Sequence, residues 1–332
     1  MSSHTMQALI LDQFGQAFRL SQIARPVPAA GEVLVRVRAS GVNPLDTKIR
    51  AGAAAHAKHP LPGILGIDLA GVVEEVGPDV TAFKRGDEVY GMTGGVGGNQ
   101  GSLAEFAAVD ARLLAQKPAN LSMREAAALP LVFITAWEGL VDRARVASGQ
   151  KVLVQGGAGG VGHVAIQIAK AFGAEVYATD SAAKKSIIER LGAVAIDFRE
   201  KSVEQYVAEY TGGRGFDLVY DTGGGAVLDA SFAAVKRFGH VVSSLGWGNH
   251  ALAPLSFKAA TYSGVFTLLP LLTGIGREHH GDIMREATLL AEAGKLVPIV
   301  DPRAFTLETA NDAHIAIEDG SAQGKLVVDI AT

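Results

Sequence analysis

The residues with the plainest chemical meaning are glycines. In the run from Lys151 to His163, KVLVQGGAGGVGH, the positions Gly157, Gly159 and Gly162 form G-x-G-x-x-G. The run follows an apolar stretch directly and leads directly into a helical pattern. Glycines let the backbone turn sharply and approach a pyrophosphate, and the helix start adds free N–H groups and a positive dipole end. The expected dinucleotide contacts are therefore Gly157, Ala158, Gly159, Gly160, Val161 and Gly162. In a chain with 40 glycines the triplet alone is weak; its weight comes from the order strand, turn, helix, second strand. Asp180 ends that second strand, 18 residues after Gly162. An acid there accepts ribose hydroxyls and favours NAD(H). Ser181, Lys184 and Lys185 follow at once, and that group can hold a 2′-phosphate. The other reading of the two lysines is a solvated helix start, so these residues leave the choice of cofactor open.

The elements that must position this turn follow from periodicity. Between 122 and 246, β-rich runs alternate with helical ones, which predicts βαβ units and a parallel sheet. Strands are expected at 151–155, 175–179, 218–221 and 240–245, with a helix over 161–172 that carries Val161, Ala165, Ile168 and Phe172 on one face. Before that, from 6 to 110, short alternating runs such as 33–37 and 69–76 are broken by Gly77-Pro78-Asp79 and Arg85-Gly86-Asp87. That pattern predicts a barrel-like β domain. The tail is expected to hold a helix over 283–293 and a strand over 326–330.

Composition narrows the class. A chain of 332 residues exceeds one small core, so two domains are expected. A net charge of −4 with no run of Lys or Arg argues against nucleic acid as partner. No cysteine is present, which excludes disulfides, thiolate catalysis and Cys-ligated zinc, and suits a reducing cytoplasmic home. The first six residues carry no apolar signal-peptide region, and they read as an expression remnant or a frayed end. The apolar stretch 264–275 is too short and too rich in Gly and Pro for a membrane span.

With these residues in view, the chain resembles the quinone oxidoreductase (zeta-crystallin-like) branch of the medium-chain dehydrogenase/reductase superfamily. The resemblance rests on Gly149-Gln150, Leu153, Gly157-Ala-Gly-Gly160, Gly162, Gln167 and Lys170. It continues through Gly41-Val-Asn-Pro-Leu-Asp46, Gly66-Ile-Asp-Leu-Ala-Gly71, Gly86-Asp-Glu-Val89, Ala126-Ala-Ala-Leu-Pro130, Thr135-Ala-Trp137, Phe216-Asp217 with Asp221, and Gly324-Lys-Leu-Val327. The resemblance implies an α/β fold, a Rossmann doubly wound parallel sheet plus a GroES-like β-barrel domain. It divides the chain into a GroES-like substrate domain over 6–124, a Rossmann domain over 125–265, and a segment over 266–332 that returns to the first domain. A homodimer is implied as well.

The resemblance also assigns roles. It implies Asn43 and Asp46 as catalytic residues beside the nicotinamide, in the cleft between domains. On their own, Asn43-Pro44 also reads as a turn former and Asp46 as a helix cap. Thr135 and Lys325 match cofactor-contacting positions, and Leu245 and Gly246, ending the 240–245 strand, are expected to meet the nicotinamide through backbone groups. Zinc relatives place a Cys near Asn43 and a His-Glu pair after Gly66, where this chain has Val42-Asn43-Pro44 and Gly66-Ile67-Asp68. Their structural-zinc lobe is replaced by the Gly-rich stretch 93–101. No metal site is expected, and His56, His59, His279 and His280 are expected at the surface. Ser181 and Lys184 match the phosphate pattern of NADPH-using relatives, while Asp180 and Phe198 depart from it. NADP(H) is favoured and NAD(H) is the alternative.

Without a Lewis acid, a quinone or an α,β-unsaturated carbonyl is the expected substrate, because it delocalises the charge that arrives with hydride. Relatives often have an aromatic hydroxyl soon after Gly52, but here Ala53, Ala54 and Ala55 stand there, and no general acid is identified. The rival readings are a dinucleotide-binding crystallin-like or regulatory protein with little turnover, and a zinc-free alcohol or enoyl reductase.

Overall fold

The computed structural model describes residues 4–330. It divides into two compact units. One contains the described residues up to Leu131, then Leu268–Gly294 and the stretch from Pro298; the other contains Val132–Thr267 and Lys295–Val297.

The first unit opens with β1 (Thr5–Ile10), β2 (Arg19–Ala24) and β3 (Glu32–Val42). Then come α1 (Pro44–Arg50), β4 (Asp68–Val76), β5 (Glu88–Met92), β6 (Phe106–Asp110) and β7 (Leu114–Gln116). Next follow α2 (Met123–Ala127), capped by Ser122 and Glu125, and α3 (Pro130–Trp137), within which the chain passes to the second unit. Strand β3 is the spine. Val33, Val35 and Val37 are fully buried on it, as the alternation predicts. It pairs antiparallel with both β4 and β6.

The second unit holds β8 (Lys151–Gln155), β9 (Glu175–Asp180), β10 (Val194–Asp197), β11 (Phe216–Asp221), β12 (Val235–Ser243) and β13 (Thr261–Gly264). Among the described residues these form one six-stranded sheet, all pairs parallel, in the order β10-β9-β8-β11-β12-β13. The order reverses at β8, where a doubly wound sheet binds its ligand. Val152, Leu153 and Val154 are fully buried, as expected for a strand covered on both faces. The helix after it, α3's successor α4 (Gly160–Ala171), lays Val164, Ala165 and Ile168 on the sheet.

The tail returns to the first unit through β14 (Phe305–Thr306) and β15 (Leu326–Asp329). β15 pairs antiparallel with β3, giving the sheet order β14-β15-β3-β4-β5-β7. Among the described residues no helix is long and apolar enough to cross a membrane.

Three expectations need correction. The strand predicted at 240–245 runs Val235–Ser243, because the Ser243 hydroxyl accepts the Leu245 N–H at 3.0 Å and turns the chain out of the sheet. The helix predicted at 283–293 runs Arg277–Glu292, since its buried face begins earlier, at His280, and continues through Ile283, Met284, Ala287 and Ala291. His280 is therefore wholly buried rather than at the surface, and His59 is half-buried.

Candidate functional site

The Gly-rich turn is built as its sequence demands. β8 ends at Gln155, and the N–H groups of Gly156 and Gly157 both donate to Thr179 O, at 3.0 and 2.9 Å, tying the turn to β9. Gly159 is the N-cap of α4 and brings no side chain to it. A Cβ on Gly162 would lie 2.0 Å from Gly156 O, so only hydrogen fits there. A Cβ on Gly159 would have a single neighbour within 4 Å, a tight contact with Gly156 O at 3.2 Å. The third glycine thus closes helix onto turn, and the second keeps the approach open. Gly160, Val161 and Gly162 form the first helical turn, whose N–H groups have no partner within the helix. The arrangement fits a pyrophosphate.

At the end of β9, Asp180 is bonded back to that turn. Its Oδ2 accepts the Ala158 N–H at 3.0 Å and its Oδ1 accepts the Ser181 N–H at 2.8 Å. Asp197 stands in register with it on β10 and accepts the Ala182 and Arg199 N–H groups, at 3.0 and 2.9 Å. Beside them is a cavity of about 240 Å³ lined by Asp180, Ser181, Lys185, Asp197, Lys201 and Tyr210, among others. Lys184 ends the single turn Ala182–Lys184 and is not among the lining residues. Phe198 is exposed.

At the ends of β11 and β12, Asp221 organises a second turn. Its Oδ1 accepts the N–H groups of Gly223 and Gly224, each at 3.0 Å, and its Oδ2 accepts the Ser243 hydroxyl at 2.7 Å. Leu245 and Gly246 lie past the end of β12, in the loop this network sets up, not on the strand. Thr135 is buried on α3. Its hydroxyl lies 3.2 Å from that of Thr267, which donates to Glu138 Oε2 at 3.0 Å.

In the first unit the structure collects Asn43, Asp46, Asp68 and Lys325, all buried. Asn43 caps α1, and its N–H donates to Asp46 Oδ2 at 2.8 Å, so the helix-cap reading of this pair is realised. The Asn43 Nδ2 donates to Asp68 Oδ2 at 2.9 Å. The Leu131 N–H donates to Asp68 Oδ1 at 2.9 Å. Lys325 Nζ donates to Asn43 Oδ1 and, at 3.1 Å, to Val42 O. Asp46 Oδ1 is buried without a hydrogen-bond partner.

Burial dominates the electrostatics. It pushes Asp46 up to about 7, against the Asn43 N–H, which favours the anion; the negative Asp68 adds to the rise and Lys325 opposes it. Burial pushes Asp68 up to about 6, with Lys325, the Asn43 side chain and the Leu131 N–H opposing. Burial also lowers Lys325, against the two carboxylates. Nothing local in Gly66-Ile67-Asp68 signals the contact of Asp68 with Asn43. Among the described residues no three His, Cys, Asp or Glu side chains are grouped to hold a metal ion.

Comparison with known proteins agrees with this architecture. Residues 29–119 match the alcohol dehydrogenase GroES-like domain, and 191–328 match the zinc-binding dehydrogenase domain. The chain is 38% identical to a 2-methylene-furan-3-one reductase of Solanum lycopersicum, over 93% of this chain and 74% of that protein. It is 36% identical to an NADPH-dependent alkenal/one oxidoreductase of Arabidopsis thaliana, over 97% and 79%. It is 30% identical to the human quinone oxidoreductase, over 97% of each. A crystal structure of an alcohol dehydrogenase superfamily protein from Novosphingobium aromaticivorans superposes with a TM-score of 0.97 at 59% identity, covering 98% of this chain and 100% of that one. Gly-rich turn, barrel and returning tail thus have one explanation: the chain belongs to the medium-chain dehydrogenase/reductase superfamily, in its quinone oxidoreductase-like branch.

Proposed function

We propose that the chain is a metal-independent reductase that passes hydride from a reduced nicotinamide dinucleotide to a quinone or an α,β-unsaturated carbonyl. The observation that carries this reading is the open Gly159 cradle between β8 and α4, a phosphate seat at the switch point of a parallel sheet. The relatives named as alkenal/one and quinone oxidoreductases support the acceptor class. When bound, the dinucleotide supplies the hydride; one proton from solvent completes the reduction. The chain's own part is to hold the pyrophosphate on Gly157–Gly162 N–H groups and to orient the reacting end. Asn43 and Asp46 are the catalytic residues of this reading, with Thr135, Leu245, Gly246 and Lys325 on the cofactor. Metal independence rests on the chain's lack of cysteine and on Ile67 where zinc relatives carry His.

NADPH is the preferred donor by a modest margin. The NADPH-dependent relative and the Lys184, Lys185 and Lys201 ammonium groups near the end of β9 support it, whereas Asp180 opposes it. A cytoplasmic home belongs to this reading, and the chain's lack of cysteine is consistent with it. A homodimer is the working form, supported by the edge position of β13 and the exposed Phe238, Phe257 and Tyr262; a sedimentation mass of one chain would count against it. Turnover is tested by following oxidation of NADPH and NADH with 1,4-benzoquinone, 9,10-phenanthrenequinone and an enone. Reduction of one acceptor class by NADPH is expected; cofactor binding without turnover on any acceptor would leave a binding protein instead.

A further inference from the structure

Asp68 has no part in the reading above, yet like Asp46 and Lys325 it is hydrogen-bonded to Asn43. It is the first residue of β4 and is wholly buried. Lys325, Asn43 and Asp68 lie in a row because their strands do. β15, β3 and β4 are neighbours, and the register sets Leu326 opposite Val42 and Gly41 opposite Asp68. Both carboxylate oxygens of Asp68 are used, one by the Asn43 Nδ2 and one by the Leu131 N–H in the first turn of α3. Its backbone is pinned too: the Ser102 hydroxyl donates to Asp68 O at 2.8 Å and stands 2.7 Å from the Ser40 hydroxyl.

The consequence falls on the Asn43 amide, which is held at both ends. A carboxylate only accepts and an ammonium only donates. The Nδ2 must face Asp68 and the Oδ1 must face Lys325, so one of the two amide orientations is permitted. Asn43 and Asp46 are also joined through the Asn43 N–H, and any shift of Asn43 moves the acid with it.

We propose that Asp68 is a positioning residue of the reductase, one that acts through Asn43 by fixing the orientation of its amide. The proposal rests on the reading of Asn43 as a residue serving the cofactor's reacting end. Replacing Asp68 by Asn keeps the volume but removes one of the two holds on the amide, because the new amide can donate to Asn43 as well as accept from it and only Lys325 still selects the orientation.

The test is a double-mutant cycle on the full chain: wild type, Asp68→Asn, Asn43→Ala and the two combined. Each is read twice, by kcat and KM with NADPH and 9,10-phenanthrenequinone, and by NADPH affinity in isothermal titration. Asp68→Asn is expected to lower kcat by about tenfold or more, with KM for the quinone little changed. In the Asn43→Ala background the same change is expected to have no further effect on kcat or on NADPH affinity. Independent, multiplying effects would overturn the proposal, and so would an Asp68→Asn chain whose stability falls while kcat and affinity stay at wild type. If Asp68→Asn does not fold, Asp68→Glu enters the same cycle. A wild type that binds NADPH but reduces no acceptor sinks the reductase reading alone, and the cycle is then decided on affinity. A wild type that binds neither dinucleotide overturns both.

Discussion

The Ala158 N–H donates to Asp180 Oδ2 at 3.0 Å, so the acid at the end of β9 is fastened to the loop that has to meet the cofactor. With its other oxygen on the Ser181 N–H, Asp180 occupies two donors that a 2′-phosphate could otherwise use. Replacing it by Ala frees both and removes a like charge from the phosphate. KM for NADPH is expected to fall and KM for NADH to rise, each by a factor of about five, the size of an exposed charge contact. Steady-state kinetics with both donors measures this; an unchanged ratio would show that Asp180 serves the loop and not the ribose.

The lysines nearby separate by position. Lys185 lines the cavity beside Asp180 and Lys184 does not. Lys185→Ala is therefore expected to raise KM for NADPH more than Lys184→Ala does, with KM for NADH nearly unchanged in both. The reverse ranking would place the phosphate on the other side of the Ala182–Lys184 turn.

Gly159 and Gly162 should fail in different ways. Gly159→Val puts bulk into the approach, where a Cβ has one neighbour within 4 Å, Gly156 O in tight contact at 3.2 Å. NADPH affinity is expected to fall at least about tenfold with the melting temperature nearly unchanged. Gly162→Ala sets a Cβ 2.0 Å from Gly156 O and is expected to lower the melting temperature itself. Isothermal titration and thermal unfolding together check the pair, and unaltered affinity in a folded Gly159→Val chain would remove the turn from the site.

Asp46 makes stability depend on pH in a stated direction. Folding raises it from 3.8 to about 7, so the native state holds that proton more tightly than the unfolded chain. This contribution is complete below about pH 4 and is lost as pH rises through about 7. Asp46→Asn has no such proton. The melting temperature of Asp46→Asn minus that of wild type is therefore expected to become more positive between about pH 5 and about pH 8. A difference that stays flat across that range would show Asp46 ionised throughout.

The metal prediction is independent of the rest. Elemental analysis of the purified chain is expected to find no stoichiometric zinc, with quinone reduction indifferent to chelators. One zinc per chain with activity lost on chelation would require a ligand set built without cysteine.

What the sequence determined by itself is what its local order encodes. β8 was legible at its full extent because its buried core is Val152-Leu153-Val154, and α4 to within a residue because its apolar positions recur at helical spacing. The Gly-rich turn between them needs only glycines and adjacency, so its place between strand and helix was legible as well. The lack of a thiolate metal site follows from composition alone. The tertiary structure decided everything that depends on which strands lie side by side. Periodicity does not show that β15 returns to β3, and without that pairing nothing brings Lys325 to Asn43, a residue 282 positions earlier. Asp68 was a motif residue without a partner until the β3–β4 register put it against the same amide. His280 looked like surface until the helix carrying it turned that face inward. The physical reason is common to these cases. Turns and helices are specified by neighbours in sequence, whereas a buried charge is specified by partners that strand register alone supplies, and no one-dimensional pattern records them.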